Sequence, residues 1–159
     1  ALRFPTHWVF DRVLFRGNYA DTSLIQYKGK WWAFTTRHPY TFEIWHADKL
    51  TGPWSPHVKN PIYRREKGCA RSGGCPVLLG DKIVRFVQDS RRGYGTGVRA
   101  FLVNTINTET FEEHPLAPDP LLSPAGQSWA KYGMHHFCPV GSPDGVWFAV
   151  IDGNGDPGP

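Results

Sequence analysis

Apolar residues in this chain fall in short runs, and Gly, Pro or Asp cuts each run before three turns of helix could form. Ser23-Leu24-Ile25-Gln26-Tyr27 passes through Lys28-Gly29 into Lys30-Trp31-Trp32-Ala33-Phe34-Thr35. Pro76-Val77-Leu78-Leu79 passes through Gly80-Asp81 into Lys82-Ile83-Val84-Arg85-Phe86-Val87. His136-Phe137 passes through Pro143-Asp144-Gly145 into Val146-Trp147-Phe148-Ala149-Val150-Ile151. An apolar strand, a tight turn and an aromatic or β-branched strand make a hairpin, so the pattern predicts three of them. A third strand is expected at 42–47 and again at 98–103, each closed by a polar, Thr-containing turn and then a short edge strand.

The hairpins repeat. Residues 30–34 match 146–150 position by position at an offset of about 116, and 82–87 lie at an offset of about 52. Four short antiparallel strands recurring every 50 to 60 residues or so are the mark of a propeller blade. The chain is therefore expected to be all-β, a partial β-propeller of about two and a half to three four-stranded antiparallel blades. The units would run over 18–66, 67–125 and 126–159, with Trp31, Val84 and Trp147 in matching places. A lone sandwich would not predict the in-register repeat. A closed propeller needs at least four blades, so the reading is of an incomplete domain with exposed sheet edges. The third unit breaks off in Gly153-Asn154-Gly155-Asp156-Pro157-Gly158-Pro159.

Composition agrees with strands and turns. The 159 residues are 40% hydrophobic and 14% aromatic, with 17 Gly and 14 Pro, which excludes a disordered chain and disfavours helices. The formal net charge is +4, but the basic residues are scattered, and Arg64-Arg65 and Arg91-Arg92 are no more than pairs. That is a basic, solubilising surface rather than a phosphate-binding stripe, and no nucleic-acid partner is expected. No apolar run is long enough to span a membrane. Cys69 and Cys75 flank a Gly-containing loop, where a local bridge and free buried thiols are both open readings; Cys138 stands apart.

A family likeness rests on ordered motifs. They are Ala20-Asp21-Thr22-Ser23-Leu24, Gly29-Lys30-Trp31-Trp32-Ala33-Phe34-Thr35, Leu50-Thr51-Gly52-Pro53-Trp54 and His57-Val58-Lys59-Asn60-Pro61-Ile62. Ala70-Arg71-Ser72-Gly73-Gly74, Arg85-Phe86-Val87-Gln88-Asp89, Tyr94-Gly95 and Gly133-Met134-His135-His136-Phe137 follow. In this order they resemble the N-terminal propeller domain of plant and algal glucosamine inositolphosphorylceramide transferases and their bacterial relatives. More distantly, the pattern is similar to the five-bladed propellers of glycoside hydrolase families 43 and 32. The resemblance implies five blades in the parent domain, a separate C-terminal exostosin-type domain that performs the transfer, and a Golgi lumen. This segment would then be an accessory, glycan- or glycolipid-binding region without catalysis of its own and without a cofactor.

In a propeller the innermost strand of each blade lines the central channel, so residues where those strands begin converge at one mouth. Asp21, Arg71 and the pair His135-His136 precede the three innermost strands. A carboxylate to accept sugar hydroxyls, a guanidinium fork and two imidazoles make a polyol or sugar-phosphate site. An inter-blade ion pair is the structural alternative for Asp21 and Arg71. Asp89 is a further ligand candidate whose commoner role is to cap its own loop. Trp31, Trp32, Trp45, Trp54 and Trp147 read as packing residues. No metal is expected, because adjacent strand residues such as His135 and His136 point to opposite faces. Hydrolysis needs two carboxylates, and Asp21 has no persuasive partner: Glu43 lies on a third strand and Glu112-Glu113 in a loop region. A hydrolase fragment and a protein-interaction propeller remain the alternative functions.

Overall fold

The computed structural model describes residues 2–142 and 144–156. Pro143, in the expected third turn, and residues 157–159, at the expected end of the third unit, lie outside them. The first sheet holds β1 (Tyr19–Tyr27), β2 (Lys30–Arg37), β3 (Thr41–Ala47) and β4 (Ser55–Pro56) in that order, and β5 (Tyr63–Arg64) also pairs with β3. The second holds β6 (Val77–Leu79), β7 (Lys82–Gln88), β8 (Val98–Ile106) and β9 (Phe111–Pro115) in chain order. The third is the pair β10 (Phe137–Gly141) and β11 (Trp147–Ile151). Every strand pairing among the described residues is antiparallel, and a single turn of 3-10 helix, Ser128–Ala130, interrupts the pattern. The chain is all-β, and its successive small sheets form a partial propeller.

Turns set the register. Tyr27 pairs with Lys30 and Leu79 with Lys82 across two-residue loops, so Trp31 corresponds to Ile83 and Trp32 to Val84. The expected match of Trp31 with Val84 is therefore one residue off, and one residue in a strand exchanges the two faces. The corrected register explains the packing. Trp31 and Ala33 face the preceding segment, against Leu14 and Phe15, while Ile83 faces the preceding sheet. Trp32 and Phe34 face the following sheet, and Val84 and Phe86 likewise face forward, toward Phe137 of β10.

The core lies between the first two sheets. Phe34, Phe42 and Ile44 from the first meet Ile83, Val103 and Phe111 from the second. Phe34, Phe42 and Ile44 are wholly buried, each contributing roughly 1.5–3 kcal/mol. His57, also buried, ties the sheets together: its Nδ1 accepts from the Lys59 N–H, so its Nε2–H donates to the Asn107 carbonyl at 2.8 Å. Arg85, where the repeat has Ala33, enters this core as a charge. It donates twice to Glu113, at 2.9 and 2.5 Å, once to the Cys69 carbonyl, and lies 4.0 Å over the Phe42 ring. Glu112 and Glu113 are thus strand residues of β9, not loop residues, because the buried Phe111 anchors that segment in the core.

Toward the third sheet the packing thins. Phe148 and Val150 on β11 are 66% and 70% exposed. Trp147 is half exposed, so it is not the packing residue expected, whereas Trp32 and Trp54 are buried. The disulfide joins Cys75 to Cys138, and Cys69 is free, which replaces the local bridge between Cys69 and Cys75. Register explains this choice. Cys138 pairs with Val150 as Ser23 pairs with Phe34, and Cys75 stands as far before its turn as Ser23 does. The bridge thus connects equivalent places, Cys138 in β10 and Cys75 two residues before β6.

Candidate functional site

The innermost strand of the first sheet loses its regular register where it begins. In β1 the register shifts between Ala20 and Ser23, and Asp21 within that bulge adopts φ 52°. A non-glycine residue in the left-handed region is uncommon, and bulges of this kind re-aim side chains next to sites. The Asp21 carboxylate leans toward the second sheet. It accepts from Arg71 Nε at 2.5 Å and from Gln88 Nε2 at 3.2 Å. Gln88 also donates to the Ser72 carbonyl at 2.9 Å, which fixes the amide that holds Asp21.

Arg71 in turn lies 5.0 Å from the Tyr94 ring centre, and Tyr94 meets the His135 ring edge to face at 5.4 Å. His135 and His136 precede β10 and are not strand residues, so the opposed-face argument does not apply to them. Both backbone N–H groups donate to Asp152 Oδ1, at 2.9 and 2.8 Å, and the same carboxylate lies against His135 Nδ1. Gly74 allows the third sheet to come this close: any Cβ there would strike the Phe137 carbonyl, and the Phe137 N–H donates to the Gly73 carbonyl at 2.7 Å.

Together these groups wall a cavity of about 340 Å³. Asp21, Ser23, Ser72, Gln88, Tyr94, His135 and His136 line it, with the Cys75 end of the disulfide at one side. Arg71 stands behind Asp21 and Tyr94 rather than in the lining. Asp89 is not in the lining either. Its carboxylate is taken up by the Arg91 side chain, at 2.9 and 2.7 Å, and by the Arg91 backbone N–H. Those bonds to Arg91 hold its pKa below the ordinary carboxylate value, against the opposing effect of burial. Asp89 braces the loop, the commoner role weighed for it.

Beside His135 Nδ1, which lies against the Asp152 carboxylate, three polar atoms in this wall are buried without a partner among the described residues: Ser23 Oγ, Ser72 Oγ and Gln88 Oε1. Such an atom costs about 1–3 kcal/mol, so three around one cavity mark a place for groups that both donate and accept. A serine hydroxyl reaches a new partner by one χ1 rotation. Among the described residues no three His, Cys, Asp or Glu side chains gather as metal ligands.

Gln88, Asp152 and the two serines were not singled out from the sequence. The corrected repeat carries the signal for two of them. Thr36, Gln88 and Asp152 occupy the same position after the three turns, and each holds a segment that leads into an innermost strand. Thr36 donates to Ala70 and accepts from the Ser72 N–H, Gln88 donates to Ser72, and Asp152 accepts from His135 and His136.

Comparison with known proteins places the chain. The family model for the N-terminal part of glucosamine inositolphosphorylceramide transferase 1 matches residues 1–154. The glucosamine inositolphosphorylceramide transferase 1 of Oryza sativa subsp. japonica is 34% identical over 163 residues, covering 97% of this chain and 22% of that protein. The protein of the same name from Arabidopsis thaliana is 27% identical, covering 97% of this chain and 21% of its own length. The chain therefore spans about a fifth of the curated relatives it matches. No solved structure matches it.

Proposed function

The chain belongs to the family of the N-terminal part of glucosamine inositolphosphorylceramide transferase 1, and we propose that it serves there as a glycan-binding region without catalysis of its own. The observation that carries this reading is the cavity at Asp21, with its three unpartnered polar atoms and a carboxylate already aligned by Arg71 and Gln88. Sugar hydroxyls donate to Asp21 and Gln88 Oε1 and exchange bonds with the two serines, while Tyr94 and His135 offer ring surface to the sugar's C–H face. The volume suits one or two sugar rings of a glycan or a glycolipid headgroup. In this reading the sheets are blades of a five-bladed propeller, with units near 18–66, 67–125 and 126–159, and a covalently linked domain supplies the transfer chemistry. An oxidising lumen such as the Golgi suits the Cys75–Cys138 bridge.

Asp21 is the one carboxylate in the cavity lining among the described residues. Glu43 is bound by Arg37 and Tyr19, and Glu113 by Arg85, so neither can act with Asp21 on a glycosidic bond. Binding is therefore favoured over hydrolysis. Asp21→Ala and Arg71→Ala, tested beside the wild-type chain on a glycan array, are expected to lose the wild-type signal by about tenfold or more. A wild-type chain that captures no glycan, or variants that capture the same glycans equally well, would remove the cavity from consideration and leave a protein-interaction surface.

A further inference from the structure

The basic pairs that the sequence scatters are brought together in space. Arg65, Lys67, Cys69, Arg91, Arg99 and Phe101 line an open cleft of about 600 Å³ beside the sugar cavity. The β7–β8 loop serves both sites, giving Tyr94 to the cavity and Arg91 to the cleft. One member of each basic pair, Arg65 and Arg91, therefore meets Lys67 and Arg99 at the end of the second sheet.

We propose that this cleft binds a tetrahedral oxyanion, a phosphate or sulfate ester. Arg65, Lys67 and Arg99 make no ion pair among the described residues, and Glu66 is the one carboxylate in the lining. Asp89 bonds to Arg91 and acts on Arg99 only at a distance, so Arg65, Lys67 and Arg99 meet the cleft without a bonded carboxylate among the described residues. Arg99 is the most informative of them. It stacks 5.0 Å from the Phe101 ring centre and donates through Nη1 to the Gly68 carbonyl at 3.2 Å. Its Nε is buried and finds no acceptor among the described residues. A buried guanidinium N–H without a partner is costly, and an anion oxygen supplies the acceptor with full charge assistance.

The cleft is also held in shape. Arg91 lies across Gly68, where a Cβ would meet its Cδ at 3.0 Å, and Asp89 fixes its guanidinium. Under the floor, Arg85 donates to the Cys69 carbonyl at 2.8 Å. Burial pushes the Cys69 thiol up to about 11, so it adds no negative charge at neutral pH. Donors that approach from separate chain segments suit a tetrahedral ester, whose free oxygens point apart, better than a planar carboxylate, which one fork would satisfy.

The test uses two probes on the purified chain. One is inorganic phosphate, titrated calorimetrically; the other is phosphatidylcholine vesicles with and without phosphatidylinositol, followed by sedimentation. Arg99→Gln is expected to weaken binding about tenfold, and Lys67→Gln to weaken it several-fold, with affinity falling as salt rises. Lys67→Gln removes no hydrogen bond, so it reports on the site even if Arg99→Gln loosens the loop. Phosphate binding with these losses supports the proposal for a soluble ester, and capture dependent on phosphatidylinositol with the same losses supports it for a lipid headgroup. The proposal is overturned if neither probe binds, if both variants bind like the wild type, or if a short oligonucleotide binds in preference to both probes.

Discussion

Two arginine–carboxylate pairs stand between the first two sheets, and they serve opposite ends. Arg85 and Glu113 lie in the filled interior, with side chains 1% and 0% exposed. Arg71 and Asp21 lie at the cavity beside the start of β1, 17% and 34% exposed, with three unpartnered polar atoms around them. Inside, most of the polar capacity is used: Glu113 takes two bonds from Arg85, which also holds a carbonyl and covers an aromatic face, and Arg85 Nη1 is the one buried atom of the pair without a partner among the described residues. At the mouth, the pair aligns a carboxylate and leaves capacity unused. The same chemistry fastens in one place and, under the proposed function, receives in the other, and what differs is how many of the surrounding groups are already satisfied.

The largest effect should come from breaking the inner pair. Glu113→Ala strands the Arg85 charge in the core, at a cost of about 3–5 kcal/mol. Denaturant unfolding of that variant is expected to show a midpoint far below the wild type, with glycan capture lost along with the fold. Asp21→Ala, by contrast, touches a partly exposed pair and should change stability by about 1 kcal/mol or less. Equal destabilisation by the two substitutions would erase the distinction.

A middle-sized effect is expected at Asp152. Its carboxylate satisfies two backbone N–H groups at once and fixes His135 beside Tyr94. Asp152→Ala leaves both N–H groups to solvent or to nothing, costing roughly 1–2 kcal/mol in a half-buried place. The larger change should be in ligand binding, since both imidazoles lose their position. Asp152→Asn retains an acceptor and should recover much of the stability. Thermal unfolding read beside array binding separates the two, and an Asp152→Ala chain that binds like the wild type would show that the histidines take no part.

How far the sequence speaks depends on what carries each feature. The hairpins were legible because turn residues and strand residues differ locally, and Asp21, Arg71, His135 and His136 were legible because they sit where innermost strands begin. Gln88 was hidden by matching Trp31 with Val84 rather than Ile83, and Asp152 because its equivalent, Thr36, lies beyond the matched residues 30–34. Once Trp31 is set against Ile83, the polar position shared by Thr36, Gln88 and Asp152 follows. The basic cleft could not be read in the same way. Arg65 and Arg91 are 26 residues apart in the chain, and no local pattern says that a loop and a strand end will meet. The Cys75–Cys138 bridge depends on two neighbouring innermost strands, so proximity in sequence pointed to the wrong partner for Cys75.

The smallest effect probes the border of the filled interior. Cys69 lies beside Arg85 at the edge of the core, and its thiol is raised from 9.0 to about 11, chiefly by burial, with the Arg85 charge acting in the opposite direction. The thiolate is the reactive form, so at pH 8 the folded chain should react with iodoacetamide about a hundredfold more slowly than the unfolded chain. The folded thiol holds its proton more tightly than the unfolded one, so its contribution to stability is complete below pH 9. It fades as pH climbs from 9 toward 11, because the unfolded state ionises first. Without reductant, one thiol per chain should be labelled after denaturation, since the other two are bridged. Rapid labelling of the native chain near pH 8 would mean that the thiol ionises through the cleft it lines, and the contrast between a filled interior and the cavity at Asp21 would weaken where that interior meets the cleft.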